Sequence, residues 1–193
     1  MIMMTLCIAV FHPQRDYLVN HAFKWHPAMV KYIKDKYSTI LTGGLETVSI
    51  HFRLGGVEEP SQVDFEAGSS FKFPGVNWYK DIMTKQFDPA KHIFVIFADN
   101  VPKMEREYLM PVREVIGSGS LHYHIVEEDF ASSMLLMSLC KHHVGTSSTY
   151  SFWGIYLDVN QPHGGRTIFP ANWKEREYGM DLPYAEWELK PLM

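Results

Sequence analysis

Apolar and polar positions along the chain follow two periods, and the switches between them divide it into strands and helices. Thr47 to Arg53 reads TVSIHFR: Val48, Ile50 and Phe52 face one way, Ser49, His51 and Arg53 the other, the two-residue repeat of a strand. Ile93 to Ala98, IFVIFA, is an unbroken apolar run, the pattern of a central parallel strand covered on both faces. Thr5 to Phe11, Leu121 to Val126 and Arg166 to Phe169 read as further strands, the first broken by His12, Pro13 and Gln14. Helical spacing fills the intervals. Pro27 opens a helix to about Tyr37 with Val30, Ile33 and Tyr37 on one side. Tyr79, Ile82, Met83 and Phe87 form the apolar stripe of a second, Val76 to Phe87. Val101 to Met110 predicts a short helix with Pro102 in its first turn, stopped by Pro111.

Glu127 to Leu157 has the most pronounced order: acidic residues, an apolar block, basic Lys141, His142 and His143, then Gly145, four hydroxyl residues and an aromatic block. It predicts helix, strand-like turn, helix. Asp129 caps the first helix, whose apolar face is Phe130, Met134 and Met137 with Leu135 and Leu139 beside it, and Gly145 ends the segment. The second helix begins among Thr146, Ser147, Ser148, Thr149 and Ser151. A helix start carries free N–H groups and receives anions, phosphate above all; ordinary hydroxyl capping is the simpler reading of the same residues. The tail to Met193 predicts irregular packing anchored by Trp173 and Trp187.

Strands alternating with helices give an α/β fold: a single Rossmann-like domain, residues 1–193, with a mostly parallel sheet. In such sheets ligands gather at the carboxyl ends of strands. Arg53 stands at one such end, where its planar fork suits two phosphate oxygens; a surface Arg closing an edge strand fits the residues equally. Asp99 stands at another, placed to orient a nucleoside or to start a turn with Asn100. Glu58 and Glu59 lie in the loop of residues 57–74; either can act as a general base, though solvated loop carboxylates are the simpler reading.

No Gly-x-Gly-x-x-Gly run marks a nicotinamide enzyme, and Gly117-Ser118-Gly119-Ser120 lacks the Lys of a nucleotide P-loop. His122, His124, His142 and His143 lack zinc-site spacing, so no metal is expected. A net charge of −4 gives no basic surface for nucleic acid. No stretch is long and apolar enough for a membrane span. Cys7 and Cys140 read as buried free thiols.

Three blocks resemble the galactoside α-1,2-fucosyltransferases. In LMSLCKHHVGTSSTYSFWGIYL the match covers Leu136, Met137, Ser138, Cys140, Lys141, His142, Ser148, Thr149, Ser151, Trp153 and Gly154, with Phe152 where the family commonly has Trp. SIHFRLGG resembles the family's His-x-Arg-Arg-Gly-Asp block at His51, Arg53 and Gly55, with Leu54 and Gly56 replacing the second Arg and the Asp. FVIFADN resembles its Phe-x-Phe-x-Ser/Thr-Asp-Asp block, with Asn100 for the second Asp, and RTIFPANWK looks like the end block. The resemblance implies the C-terminal, donor-binding half of a GT-B glycosyltransferase, without the N-terminal acceptor domain or the Golgi anchor of animal members. It implies GDP-fucose as donor, bound through His51, Arg53, Asp99, Ser147, Ser148, Thr149 and Ser151, with Arg53 catalytic in supporting GDP departure. It further implies an inverting reaction without metal or cofactor, a galactose-terminated glycan as acceptor, and a Golgi setting. The alternative, favoured by Leu54, Gly56 and the short N-terminus, is a catalytically inactive or truncated remnant that binds a GDP-sugar or glycan.

Overall fold

The computed structural model describes residues 12–54, 74–117, 121–160, 164–171 and 186–191. Among these, six strands form one sheet: β1 Glu46–Phe52, β2 His92–Ala98, β3 Tyr123–Ile125, β4 His142–Val144, β5 Thr167–Pro170 and β6 Glu188–Lys190. Their order is β3-β2-β1-β4-β5-β6 and every neighbouring pair is parallel. The fold is α/β and Rossmann-like, as the alternating pattern predicts, and the sheet is wholly parallel among the described strands.

Helices cover both faces. On one lie α2 (Val76–Asp81), the helical run from Val101–Met104 through Glu105–Leu109, and α3 (Met110–Ile116). Their Trp78, Tyr79, Met104 and Val112 pack on Val48, Ile50, Phe52, Phe94 and Ile96 of the sheet. On the other lie α1 (Pro27–Lys36), α4 (Phe130–Ser138) and α5 (Thr149–Tyr156). Their Ile33, Leu135, Leu136 and Ile155 meet Val95, Phe97 and Phe169. Odd and even positions of β2 thus serve two separate cores, which is why its sequence shows no polar face. Each of its four buried apolar side chains contributes about 1.5–3 kcal/mol by leaving water.

β1 lies in the middle of the sheet, between β2 and β4, and not at an edge. The chain builds from β1 outward to β2 and β3, then returns through α4 to place β4 on the other flank of β1. That reversal opens a crevice at the carboxyl ends of β1 and β4, where doubly wound sheets bind ligands.

Several expectations are corrected. Pro111 does not stop the helix: Glu105–Leu109 is a π-helical turn in which Met110 N–H bonds to Glu105 O, and Pro111 falls in the first turn of the resumed helix, where no N–H is required. The strand-like turn is a strand, β4 at His142–Val144, and Gly145 ends that strand rather than a helix. A Cβ at Gly145 would run into the Phe169 ring of β5, so the residue keeps the strands close. The tail contributes strand β6, tied to β5 by the Arg166 fork on Glu188 at 2.8 and 3.0 Å; Trp187 is its anchor, stacked on Phe169 at 5.3 Å. Phe130 is not core: it is 68% exposed, and the buried face of α4 is Ser132, Leu135, Leu136, Met137 and Ser138. The predicted strand at Thr5–Phe11, Cys7, Gly55, Gly56, the loop with Glu58 and Glu59, Ser118–Ser120 and Trp173 lie outside the described residues. Cys140 is a buried free thiol. Among the described residues no helix is long and apolar enough to cross a membrane.

Candidate functional site at the carboxyl edge of the sheet

One face of β1 carries Thr47, Ser49 and His51, and all three are buried. A buried polar group without a hydrogen bond costs roughly 1–3 kcal/mol, so each calls for a partner. Thr47 Oγ1 accepts from Lys141 N–H at 2.8 Å, and Ser49 Oγ bonds to His143 Nδ1 at 2.8 Å. His51 Nδ1 has no partner. The pKa of His51 is pulled down to about 3, first because burial disfavours imidazolium and then because Arg53 is near. His51 is therefore a neutral imidazole at physiological pH, with an unmet nitrogen beside a cavity.

That cavity has a volume of about 450 Å³, within the range of small-molecule sites. One wall is His51, Arg53, Ala98 and Asp99 from the ends of β1 and β2; a second is Ser148, Thr149 and Tyr150 at the start of α5; a third is Val126, Glu128, Phe130 and Ser133 after β3. Arg53 and the hydroxyl-rich helix start, far apart in sequence, thus face one space.

Asp99 is engaged with the first wall itself. Its Oδ2 pairs with Arg53 Nη1, and its Oδ1 accepts from Leu54 N–H at 2.8 Å. Asp99 therefore fixes the guanidinium at the cavity edge, a role the sequence reading did not assign to it. Leu54 itself is buried in the core.

Ser148 is the N-cap of α5, with extended backbone at φ −132° and ψ 131°, yet its side chain makes no capping bond. The first bond closing the helix runs from Phe152 N–H to Ser148 O, so the N–H groups of Thr149, Tyr150 and Ser151 have no intrahelical acceptor. Contrast α4, where Asp129 accepts from Ala131 and Ser132 N–H at 2.9 and 3.0 Å, a conventional cap. Ser151 is fully buried; its Oγ accepts from Thr146 N–H at 3.2 Å and donates to Ser148 O at 3.0 Å, which shapes the loop before α5. Ser147 is also buried. Neither lines the cavity.

Among the lining side chains that the sequence reading did not assign to a site are Glu128, Phe130 and Tyr150. Glu128 bonds to Lys36 and to the hydroxyls of Tyr37 and Tyr32, at 2.9 and 3.2 Å for the latter two. Burial alone would raise its pKa; the hydrogen bonds from Lys36 and Tyr37 outweigh it, and the net shift is downward. Phe130 and Tyr150 pair across the starts of α4 and α5 with ring centroids 4.5 Å apart. Spacing gave no signal for Glu128, whereas Tyr150 follows the hydroxyl run directly.

Two other polar clusters lie away from the cavity. Ser49, His143 and Asp158 form a chain of hydrogen bonds at 2.8 and 3.2 Å, but His143 is 0% exposed and no substrate reaches it. At the amino-terminal edge of the sheet Glu46, His92 and His142 present ligand atoms within 4.8 Å of one another. His142 Nδ1 accepts from Arg166 N–H at 2.9 Å, so its proton sits on Nε2, facing Glu46 Oε2 at 3.0 Å. That proton occupies the position a metal would need. The Lys141 ammonium and His142 hold Glu46 down at about pKa 2, which makes the cluster a carboxylate clamp.

Fold and cavity together define a Rossmann-like α/β domain with a helix start that lacks a side-chain cap at its topological switch point. The chain is similar to the O-antigen biosynthesis glycosyltransferase WbnK of Escherichia coli, 24% identical over 155 residues, which are 78% of this chain and 47% of that protein. It spans about half the length of this curated relative. No protein-family model matches the chain, and no solved structure matches it.

Proposed function

We propose that the chain is the donor-binding part of a glycosyltransferase that takes a nucleoside-diphosphate sugar at the carboxyl edge of its sheet. The observation that carries this reading is the convergence of Arg53 and the α5 start on one cavity at the switch point. The similarity to WbnK, itself an O-antigen biosynthesis glycosyltransferase, supports the reaction class and a setting in glycan synthesis. Leaving-group departure builds charge on phosphate oxygens, and a fixed guanidinium with oriented N–H groups stabilises that charge. Asp99 holds the guanidinium ready, so little reorganisation is needed when the diphosphate arrives.

The resemblance of the SIHFRLGG, FVIFADN and LMSLCKHHVGTSSTYSFWGIYL blocks supports the finer reading. In it the donor is GDP-fucose, the reaction inverts the anomeric centre without a metal, and fucose is placed on the 2-hydroxyl of a terminal β-galactoside. A bacterial O-antigen relative supports bacterial-type glycan assembly over the Golgi setting implied by animal members of that family. A second reading, a GDP-sugar-binding domain without turnover, is favoured by one observation: Leu54, in the place of the family's second Arg, is buried and offers the cavity no second cation.

GDP titration followed by calorimetry, then transfer of labelled fucose from GDP-fucose to a β-galactoside, tests both. Saturable GDP binding with transfer is the expected result. Binding without transfer selects the second reading, and absence of GDP binding at millimolar concentration overturns both.

A further inference from the structure

Phe130 is the first residue of α4, and its side chain is aimed away from the core that the rest of the helix fills. An exposed phenylalanine alone is unremarkable. This one lines the cavity, and its ring lies 4.5 Å from the ring of Tyr150 at an interplanar angle of 50°. Tyr150 in turn is backed by His51, ring centroids 5.4 Å apart. The Tyr150 hydroxyl donates to Phe130 O at 3.1 Å, locking the starts of α4 and α5 together. The phenol is thus occupied as a donor, and burial pushes its pKa up to about 12, so it stays neutral. What the pair leaves open to the cavity is aromatic surface.

We propose that Phe130 and Tyr150 form a stacking platform for the nucleobase of the donor, an inference that rests on the nucleotide-sugar reading above. Tyr150 follows Thr149 directly, so the platform stands beside the N–H groups assigned to the phosphates. A group seated there belongs to the same ligand as the diphosphate. Within a nucleoside-diphosphate sugar only the base is planar and presents a π face, and the tilted pair of rings is one on which a further aromatic ring gains contact. Base stacking on an aromatic side chain is tolerant of base identity; the platform supplies affinity, and discrimination among bases falls to polar groups on the opposite wall.

The test compares GDP with inorganic pyrophosphate on the wild-type chain, Phe130→Ala and Phe130→Trp. The expected result is a GDP Kd raised by about 5- to 100-fold in Phe130→Ala and recovered in Phe130→Trp, with the pyrophosphate Kd unchanged within about twofold. Phe130 is 68% exposed, so the Ala variant should fold, which its melting temperature checks directly. Equal losses for GDP and pyrophosphate mean a distorted phosphate site and overturn the platform. So does an unchanged GDP Kd, or a loss confined to a β-galactoside, which would assign the rings to an acceptor sugar. Wild-type protein that binds pyrophosphate and GDP equally well overturns the platform while leaving the phosphate site standing. Wild-type protein that binds neither overturns the platform together with the nucleotide-sugar reading.

Discussion

His51 makes the state of the cavity wall measurable without any ligand. Its side chain is buried and its Nδ1 lacks a partner, and its pKa is about 3 in the folded chain against 6.5 for the free side chain. Above pH 6.5 both states leave it neutral and it contributes no pH dependence. As pH falls below 6.5 the unfolded chain takes up a proton that the folded chain refuses, so stability falls with falling pH until about pH 3. Integrated from pH 7 to pH 5, this one group removes about 2 kcal/mol of stability. With a urea slope of roughly 1–3 kcal/mol per molar, that is a shift of about 1 M in the unfolding midpoint. His51→Asn removes the titration while keeping a polar side chain. The variant should be less stable at pH 7 through lost packing on Tyr150, by an amount independent of pH. The gap between it and the wild type should then narrow by about 2 kcal/mol at pH 5. His12, His124 and His142 also have lowered pKa values, chiefly from burial, but they act in both proteins and cancel in the comparison. Parallel urea midpoints for the two proteins from pH 7 to 5 would refute a buried, neutral His51.

Two further outcomes follow from other parts of the fold. Arg53→Ala should weaken GDP by about 10- to 100-fold, the loss of a charge-assisted hydrogen bond to phosphate, with little change in melting temperature because the Arg53–Asp99 pair is partly exposed; calorimetry showing an unchanged Kd removes Arg53 from the phosphate site. Gly145→Ala should cost about 1–3 kcal/mol, since the new methyl meets the buried Phe169 ring between β4 and β5; a melting temperature within a degree of wild type would show that the two strands can part without penalty.

How much of this was legible in the sequence depends on the length over which each signal is written. β1 and β2 are seven-residue strands, and the Asp129 cap is local chemistry; all three stand where the pattern puts them. β4 and β6 are three residues each, too short for a period, and they become strands only because β1 and β5 offer them hydrogen bonds. Asp99 was legible as a strand-end carboxylate but not as the partner of Arg53, because that bond spans a separation of 46 residues. Phe130 was misassigned because helical spacing gives its face but not where the helix begins relative to the sheet; at the first position the side chain extends past the edge of the core.

The alternation of β1 was read correctly and yet carried a hidden consequence. A two-residue repeat suggests one wet face, but β1 is central, so its polar residues are buried and each must find a partner. Thr47 and Ser49 find theirs on residues 141–143, next to which the parallel register sets them. Beyond Ile50, which pairs with Val144, the described ladder between the two strands ends, and His51 is the next polar residue on that face. β4 stops at Val144, the chain turns through Gly145 to the α5 start, and His51 Nδ1 is left without a partner on the strand that carries Arg53. The cavity lies where the ends of β1 and β2 face the α5 start, and that placement rests on the fold and on no likeness to known enzymes. Its chemistry follows from the two groups that flank the gap, a guanidinium on one strand and a helix start after the other.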